Sequence, residues 1–205
     1  VGTPGFHVLR KLRYERYRVV STASYNASRT VAVIIKSDIE AESLRNDLLI
    51  EHEELSIPTP PAELFGRAVP VAVEIGFGSG RFLNRLAGER PDWNILGVEL
   101  SPPCHGRARN RLKEAERTNV RLLKTSGEFA IRNITPAGSI RRVYVNFPDP
   151  WPKERHHDRR LLKSEFLEIL AGRLEEAGEV WFTSDHAEYF DWAVDQAEAT
   201  GLYEV

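Results

Sequence analysis

Three glycines, Gly76, Gly78 and Gly80, stand at alternate positions two residues after an acid, Glu74. Glycine adopts backbone conformations that other residues resist, and it lets a ligand approach the main chain closely. The dinucleotide-binding fingerprint would need a further glycine at position 81, where this chain has Arg81. A carboxylate beside the turn would repel a pyrophosphate and attract a cation. The segment therefore predicts a ligand with a cationic end and disfavours a nicotinamide cofactor.

A second acid, Glu99, lies 19 residues after Gly80, at the end of the next predicted strand. An acid at this place can accept hydrogen bonds from both hydroxyls of a ribose. S-adenosylmethionine has such a ribose, and its methionine part carries an ammonium that suits Glu74. Ser126, at the end of the third predicted strand, is placed to contact the adenine. We therefore predict a cofactor site for S-adenosylmethionine at Glu74, Gly76, Gly78, Gly80, Glu99 and Ser126.

Asp149 stands in a proline-rich segment, between Pro148 and Pro150, directly after the fourth predicted strand. Proline fixes the backbone and lowers the entropy lost on ordering it. Guanine N7 has a lone pair and no proton, so its methylation needs no general base, and a carboxylate can stabilise the cationic product ring. Enzymes that methylate exocyclic amines usually carry Asn-Pro-Pro-aromatic here, which this chain lacks. Asp149 is the predicted catalytic and substrate-binding residue.

Four cations follow in the same segment and form what we call the basic strip: Lys153, Arg155, Arg159 and Arg160. The net charge of the chain is only −2, yet residues 141–163 hold seven Lys or Arg and three acids. Residues 1–36 hold seven Lys or Arg and one acid, whereas residues 164–205 hold one Arg and eleven acids. A polyanion responds to such local segments, so the strip predicts binding of phosphates, with His156 as a hydrogen-bonding neighbour. No Cys or acid cluster completes a metal site with His156 and His157.

Composition narrows the class of protein. Apolar residues make up 41 % of 205 residues, which suits one folded domain with or without an appendage. No apolar run approaches the roughly 20 residues of a membrane helix, and no export signal opens the chain. Cys104 is the only cysteine, which fits a reducing, cytoplasmic location. Because the chain begins at Val1 and contains no methionine, we expect it to be part of a longer protein.

Strands and helices alternate after a proline cluster at residues 56–61, which predicts an α/β fold with a mostly parallel sheet covered by helices on both faces. We expect residues 1–55 to form an N-terminal region of unknown role, with a strand at 31–35 and an acidic helix at 37–55. Residues 62–205 are the predicted catalytic domain. Its predicted strands are 71–75, 94–100, 120–124, 142–147 and 179–183, and its predicted helices are 81–89, 103–117, 161–174 and 189–200.

These motifs resemble the bacterial tRNA (guanine-N7)-methyltransferases over about residues 62–203. The resemblance rests on residues 64–67, 74–80, 90–94 and 97–99, and above all on the long segment 147–153 with Arg155 and His156. It implies a Rossmann-like class I methyltransferase sheet and methylation of the variable-loop guanine at tRNA position 46. It also implies that Glu74, Glu99 and Asp149 are cofactor-site acids, that Asp149 is catalytic, and that Lys153 and Asp185 contact the substrate.

The chain departs from that family at three places. Ser126 stands where an aspartate is frequent, and Asp158 stands where a basic residue is usual. The family's C-terminal substrate motif is missing at Val205, so we expect a truncated domain whose last strand has an unpaired edge. Residues 203–205 resemble the start of a sixth strand. Two alternatives stay open: a methyltransferase for another RNA base, and a non-catalytic RNA-binding relative.

Overall fold

A computed structural model describes residues 5–10, 48–50 and 55–205 of the chain, and its strands form one parallel sheet of seven. Parallel strands that are buried on both faces read as apolar runs, and the segment Val71–Ile75 is an example in which all five residues are buried. The strands are β1 (Gly5–Arg10), β2 (Leu49–Ile50), β3 (Val71–Ile75), β4 (Asn94–Glu99), β5 (Val120–Lys124), β6 (Ile140–Asn146) and β7 (Leu174–Ser184).

The strand order is β1-β7-β6-β3-β4-β5-β2. From β3 the chain moves outward through β4 to β5, and it then returns to the other side of β3 to form β6 and β7. In open parallel sheets the ligand crevice lies at the carboxyl ends of the strands, at the point where the order reverses. That point is between β3 and β6, which bear Glu74 and Asn146.

Helices cover both faces of the sheet. Side chains of alternate strand residues feed two apolar clusters, one containing Val73 and Val143 and the other Ala72 and Tyr144. The first cluster includes buried residues of α1 (Pro61–Phe65), α5 (Ser164–Ala171) and α6 (Ala187–Thr200), and the second includes those of α2 (Arg81–Glu89) and α3 (Pro102–Glu114). A short helix α4 (Gly127–Phe129) continues into a π-helical turn at Ala130–Ile134, and a 3-10 helix spans Glu154–Arg159.

The predicted fold class is confirmed, and α2 has the predicted bounds. Helix α5 is shorter than predicted, because the chain turns at Gly172 and β7 already begins at Leu174. Strand β7 pairs first with Ile140 and then, after a register shift, continues alongside β6. The residues between, with Ala177 at a φ of 62°, carry this irregularity. A sequence pattern of period two does not foresee such an insertion.

The N-terminal region differs from our expectation where it is described. Leu49–Ile50 form a strand beside β5, so the predicted helix over 37–55 is wrong at these residues, and most of it lies outside the described residues. The predicted strand at 31–35 also lies outside them. The β7 edge that we expected to be unpaired is bonded to β1 in parallel register. Of the predicted sixth strand, Glu204 forms a single bridge. The division of the chain at residues 56–61 stays a prediction.

Among the described helices, none combines the length and the apolar character needed to cross a membrane.

Candidate active site

The glycine turn joins β3 to α2 at the carboxyl edge of the sheet. Gly76, Gly78 and Gly80 have φ values of 76°, 53° and 72°, a region that side chains other than glycine's disfavour. A Cβ atom on Gly80 would lie 2.6 Å from Cβ of Ala108, so this glycine also lets α3 pack against the turn. Cβ atoms on Gly76 and Gly78 would meet nothing within 4 Å. The turn therefore leaves open space above two of its glycines.

Glu74 is a buried carboxylate beside that turn, with only 2 % of its surface exposed. Its Oε1 accepts a hydrogen bond of 3.4 Å from the side-chain amide of Asn146, and its Oε2 is buried without a hydrogen-bond partner. Burial raises the pKa of Glu74 to about 7, against a smaller lowering by the bond from Asn146. A cationic group that paired with Oε2 would relieve this penalty. An unsatisfied buried acceptor of this kind fits the ammonium of a bound amino acid.

Glu99 holds the glycine turn and its own strand end together. Its Oε2 accepts from the backbone N–H of Gly78 at 3.1 Å. Its Oε1 accepts from the N–H groups of Leu100 and Ser101 at 2.8 and 2.9 Å. Each carboxylate oxygen can accept more than one hydrogen bond, so Oε2 retains capacity for a ribose hydroxyl. The predicted ribose acid is therefore fixed at the expected edge.

Ser126 follows β5 and is exposed at the same edge. Its hydroxyl oxygen accepts a hydrogen bond of 3.1 Å from the N–H of Phe129, which makes it the N-cap of α4. The hydroxyl hydrogen remains available for a ligand. Its adenine contact stays a prediction.

The segment after β6 leaves the sheet with unusual backbone geometry. Phe147 and Trp151 have φ values of 52° and 45°, and Phe147 donates its N–H to the carbonyl of Thr183 at 2.7 Å. Non-glycine residues at positive φ persist only where their surroundings hold them, and they concentrate at functional sites. Asp149 lies between them, exposed, and its carboxylate makes no hydrogen bond or ion pair with any other described residue. The predicted catalytic carboxylate is thus presented to solvent on a constrained loop.

Arg160 does not belong to an exposed phosphate-binding surface, and its assignment to the basic strip is wrong. Only 1 % of its surface is exposed. Its guanidinium donates to both carboxylate oxygens of Glu188, at 2.9 and 2.5 Å, and to the carbonyl of Pro150 at 2.9 Å. The same group lies 4.9 Å from the ring centres of both Tyr189 and Trp192 on α6. Because all of these contacts are internal, Arg160 anchors the loop that carries Asp149.

The other members of the basic strip are exposed. The guanidinium of Arg159 lies 4.8 Å from the ring centre of Trp151, and Arg155 donates to Nε2 of the half-buried His156 at 3.3 Å. Lys153 precedes the 3-10 helix, and its carbonyl accepts the N–H of His156 at 2.8 Å. These cations make no ion pair with a described acid. They remain candidates for phosphate contacts.

Asp185 follows β7 and is exposed. Strands β6 and β7 are neighbours, with Asn146 paired to Thr183, so the loops that carry Asp149 and Asp185 leave adjacent strand ends. Substrate contact by Asp185 stays a prediction.

The structure brings the predicted residues to one edge of the sheet but links only some of them directly. Glu99 bonds to the glycine turn, whereas Glu74 contacts Asn146, the last residue of β6, directly before the loop that carries Asp149. The sequence-based predictions assign no role of its own to Asn146 and no anchoring role to Glu188. A polar residue that ends an apolar strand is a signal for the first. Nothing in the sequence pairs Arg160 with an acid 28 residues away. The described residues contain no group of three or more His, Cys, Asp or Glu that could hold a metal.

Comparisons with known proteins show the family of the chain. A family model described as "Putative methyltransferase" matches residues 68–205. A tRNA (guanine-N(7)-)-methyltransferase of Thermus thermophilus is 48 % identical over 148 residues, which cover 72 % of this chain and 48 % of the relative. One of Bacillus velezensis is 34 % identical over 163 residues, covering 77 % and 75 % of the two chains. This chain spans about half the length of the first curated relatives it matches.

Among solved structures, the precorrin-6y C5,15-methyltransferase of Geobacter metallireducens superposes with a TM-score of 0.52 at 19 % identity. The match covers 66 % of this chain and 64 % of that one. This likeness concerns the fold, which is the Rossmann-like class I methyltransferase fold.

Proposed function

The chain belongs to the tRNA (guanine-N7)-methyltransferase family, and from this premise we propose that it transfers a methyl group from S-adenosylmethionine to N7 of a guanine in tRNA. In that reaction the lone pair of N7 forms the new bond to the methyl carbon as the sulfur–carbon bond breaks and its electron pair returns to sulfur. The products are a cationic guanine ring and S-adenosylhomocysteine.

The hydrogen-bond acceptors at the sheet edge fit this cofactor. Glu74 offers a buried oxygen without a partner to the ammonium, and Glu99 offers acceptor capacity to the ribose. The open space over Gly76 and Gly78 suits close approach of the ligand to the backbone, and Gly80 fixes the turn against α3. Ser126 completes the proposed pocket on the adenine side.

Asp149 is the proposed catalytic residue. Its exposed carboxylate is not engaged by any other described group and can accept hydrogen bonds from the N–H groups at the guanine edge. An anionic acceptor at that edge becomes more favourable as positive charge develops on the ring, which lowers the barrier to transfer. Asp185, on the adjacent loop, is the second proposed acceptor for the guanine edge.

The proposed substrate, tRNA, is bound through its phosphates by Lys153, Arg155 and Arg159, with His156 as a hydrogen-bonding neighbour. We propose the variable-loop guanine at position 46 as the target. Residues 62–205 form the proposed catalytic domain, and the single cysteine fits action in the cytoplasm, where tRNA is processed.

One observation carries the proposal: Glu74 accepts from Asn146 through Oε1 and keeps a buried, unpartnered Oε2, and Asn146 directly precedes the loop that presents Asp149. A cation-binding carboxylate and a free carboxylate thus flank one strand end. This arrangement suits a methyl donor that carries an ammonium and a ring that becomes cationic.

The test is methyl transfer to unmodified tRNA with radiolabelled S-adenosylmethionine, followed by borohydride and aniline cleavage, which breaks the strand only at N7-methylated guanine. We expect a single cleavage in the variable loop. A matched tRNA in which guanine 46 is replaced by adenine should accept no label. Label that resists cleavage would identify another methylated atom, and absence of label with intact cofactor binding would favour a non-catalytic relative.

A further inference from the structure

Helix α3 carries a second group of cations, separate from the basic strip, that we call the α3 basic face: Arg107, Arg109, Arg111 and Lys113. Arg107, Arg109 and Lys113 are exposed, and Arg111 is half-buried. None of the four makes an ion pair with an acid in the described part of the chain. Glu114 is the only acid in the helix. In an α-helix these residues form two stripes, Arg107 with Arg111 and Arg109 with Lys113, which lie on different sides of α3 and which the described residues do not neutralise.

The arrangement of these charges opposes helix stability. Arg107 with Arg111, and Arg109 with Lys113, are pairs of like charge four residues apart, and such pairs destabilise a helix. The helix dipole compensates only for cations in the last turn, which here are Arg111 and Lys113. Arg107 and Arg109 gain nothing from it. Helix stability therefore does not explain why cations stand at these positions, whereas binding of an anionic partner would explain it.

The α3 basic face begins beside the proposed active site. Ala108 packs against Gly80, and Nε of Arg111 donates to the carbonyl of Ser79 at 3.2 Å. The buried side of α3 belongs to the apolar cluster that contains Ala72, on one face of the sheet. The loop of Asp149 is instead anchored through Arg160 to α6, on the other face. The two basic surfaces thus flank the catalytic edge from opposite sides.

The separation of the two surfaces limits the ligand that can reach both. Helix α3 begins after β4, and the loop of Asp149 begins after β6. Strand β3 lies between these two strands, so two strand spacings separate the starts. Adjacent strands are about 4.8 Å apart, so the surfaces are roughly 10 Å or more from each other. A single nucleotide whose base lies in the active site is too short to contact both surfaces. A folded nucleic acid with phosphates on several sides can contact both.

We propose that the α3 basic face binds phosphates of the tRNA backbone away from the methylated guanine. This inference rests on the proposed function for the identity of the RNA. It assigns to α3 a contribution to the affinity and the salt dependence of tRNA binding, and no part in methyl transfer itself. The distant phosphate interactions hold the RNA across the sheet edge while the guanine enters the site.

The experiment compares the parent chain with Arg107→Gln/Arg109→Gln, in which Arg111 is kept because it bonds to the glycine turn. The control variant is Arg132→Gln/Arg141→Gln, which removes two exposed cations that are ion-paired with Glu128 and Glu175 away from α3. Fluorescence anisotropy measures tRNA affinity over a series of potassium chloride concentrations. Calorimetry measures cofactor affinity, and methyl transfer is measured on tRNA and on a short variable-loop RNA.

We expect the α3 variant to bind tRNA on the order of tenfold more weakly, with the log–log salt slope flattened by about 0.7–0.9 for each phosphate that is no longer bound. KM for tRNA should rise, while kcat, cofactor affinity and turnover of the short RNA stay at parent values. Unchanged tRNA affinity, or an equal weakening in the control variant, would overturn the inference. If the parent binds tRNA but does not methylate it, the proposed function fails while the binding comparison still decides the role of α3.

Discussion

The guanidinium of Arg160 donates a hydrogen bond of 2.9 Å to the carbonyl of Pro150, the residue next to Asp149. The same group is paired with Glu188 and lies between two aromatic rings of α6, so its position is determined from several sides. A fixed donor beside the proposed catalytic carboxylate restricts the loop and limits the orientations of Asp149. Correct placement of a reacting group is itself a large part of catalysis.

Arg160→Lys is expected to lower kcat for tRNA while leaving cofactor affinity unchanged. A lysine cannot reach Pro150 and both oxygens of Glu188 with one fixed fork, so the loop gains freedom. Glu188→Gln keeps two of the three acceptors and should lower kcat less. It removes the charge that pairs with a buried guanidinium, and because water screens the exposed side of Glu188 we expect a stability loss of only about 1–2 kcal/mol. Single-turnover rates and thermal unfolding measure the two effects. Parent-like kcat in Arg160→Lys would contradict the anchoring role.

Asp149→Asn should lower kcat by about 100- to 1,000-fold, since the site loses the negative charge that stabilises the cationic ring. Cofactor affinity should remain within about twofold, because Glu74 and Glu99, the proposed acceptors for the ammonium and the ribose, are unchanged. Asp158→Asn is the matched control, being an exposed aspartate of the same segment. Rapid-quench kinetics on tRNA measures the rate. Near-parent turnover by Asp149→Asn would remove Asp149 from the mechanism.

Arg159→Gln should weaken tRNA binding and flatten its salt slope by about 0.7–0.9, as expected when one phosphate is no longer bound. Thermal stability should be nearly unchanged, because Arg159 is exposed and contacts only Trp151 among the described rings. Glu154→Gln, in the same 3-10 helix, is a control that should not weaken binding. Binding isotherms at four salt concentrations measure the slope. An unchanged slope would mean that Arg159 is solvated surface.

Glu99→Gln is expected to weaken S-adenosylmethionine binding by about 1–3 kcal/mol, since the ribose loses a charged acceptor and the glycine turn loses a charge-assisted bond. Glu89→Gln, on the exposed side of α2, serves as the control. Isothermal titration calorimetry gives both affinities. Equal affinity of Glu99→Gln and the parent would place the ribose elsewhere.

Cofactor affinity should rise with pH through neutrality. Burial raises the pKa of Glu74 to about 7, so the carboxyl is mostly neutral below that pH and mostly anionic above it. If the ammonium pairs with the anionic form, affinity should increase about tenfold between about pH 6 and pH 8, in proportion to the ionised fraction. Glu74→Gln should bind weakly at every pH. Calorimetry measures the affinity for S-adenosylmethionine across this pH range. If the affinity of Glu74→Gln shows the same dependence on pH, the titrating group is a different one.

The parts of the fold that could be predicted are those that leave a local pattern. Apolar runs gave the five central strands, and the glycine spacing located the turn before α2. Strand β2 has only two residues, and its place in the sheet depends on pairing with β5, more than 60 residues later. Such pairings depend on tertiary packing, and no window of sequence reports them.

In the site, too, local sequence patterns predict some features, and others depend on tertiary packing. Residue type and position foretold Glu74, Glu99 and Asp149 at one edge, because parallel strands bring their carboxyl ends together. The sequence did not separate Arg159 from Arg160, although one is exposed and the other is almost fully buried. Burial of a charge depends on partners from distant helices, here Glu188 and the rings of α6. Neighbouring residues of the same type can therefore have opposite roles.

The three backbone hydrogen bonds to Glu99 bear on the kinetics of cofactor capture. A carboxylate that already holds Gly78, Leu100 and Ser101 has little conformational freedom left to lose in its proposed contact with a ribose. The entropic cost of ordering this part of the pocket is met during folding and not during binding. Association at the ribose end should accordingly proceed as a single concentration-dependent phase, without a slow rearrangement of Glu99.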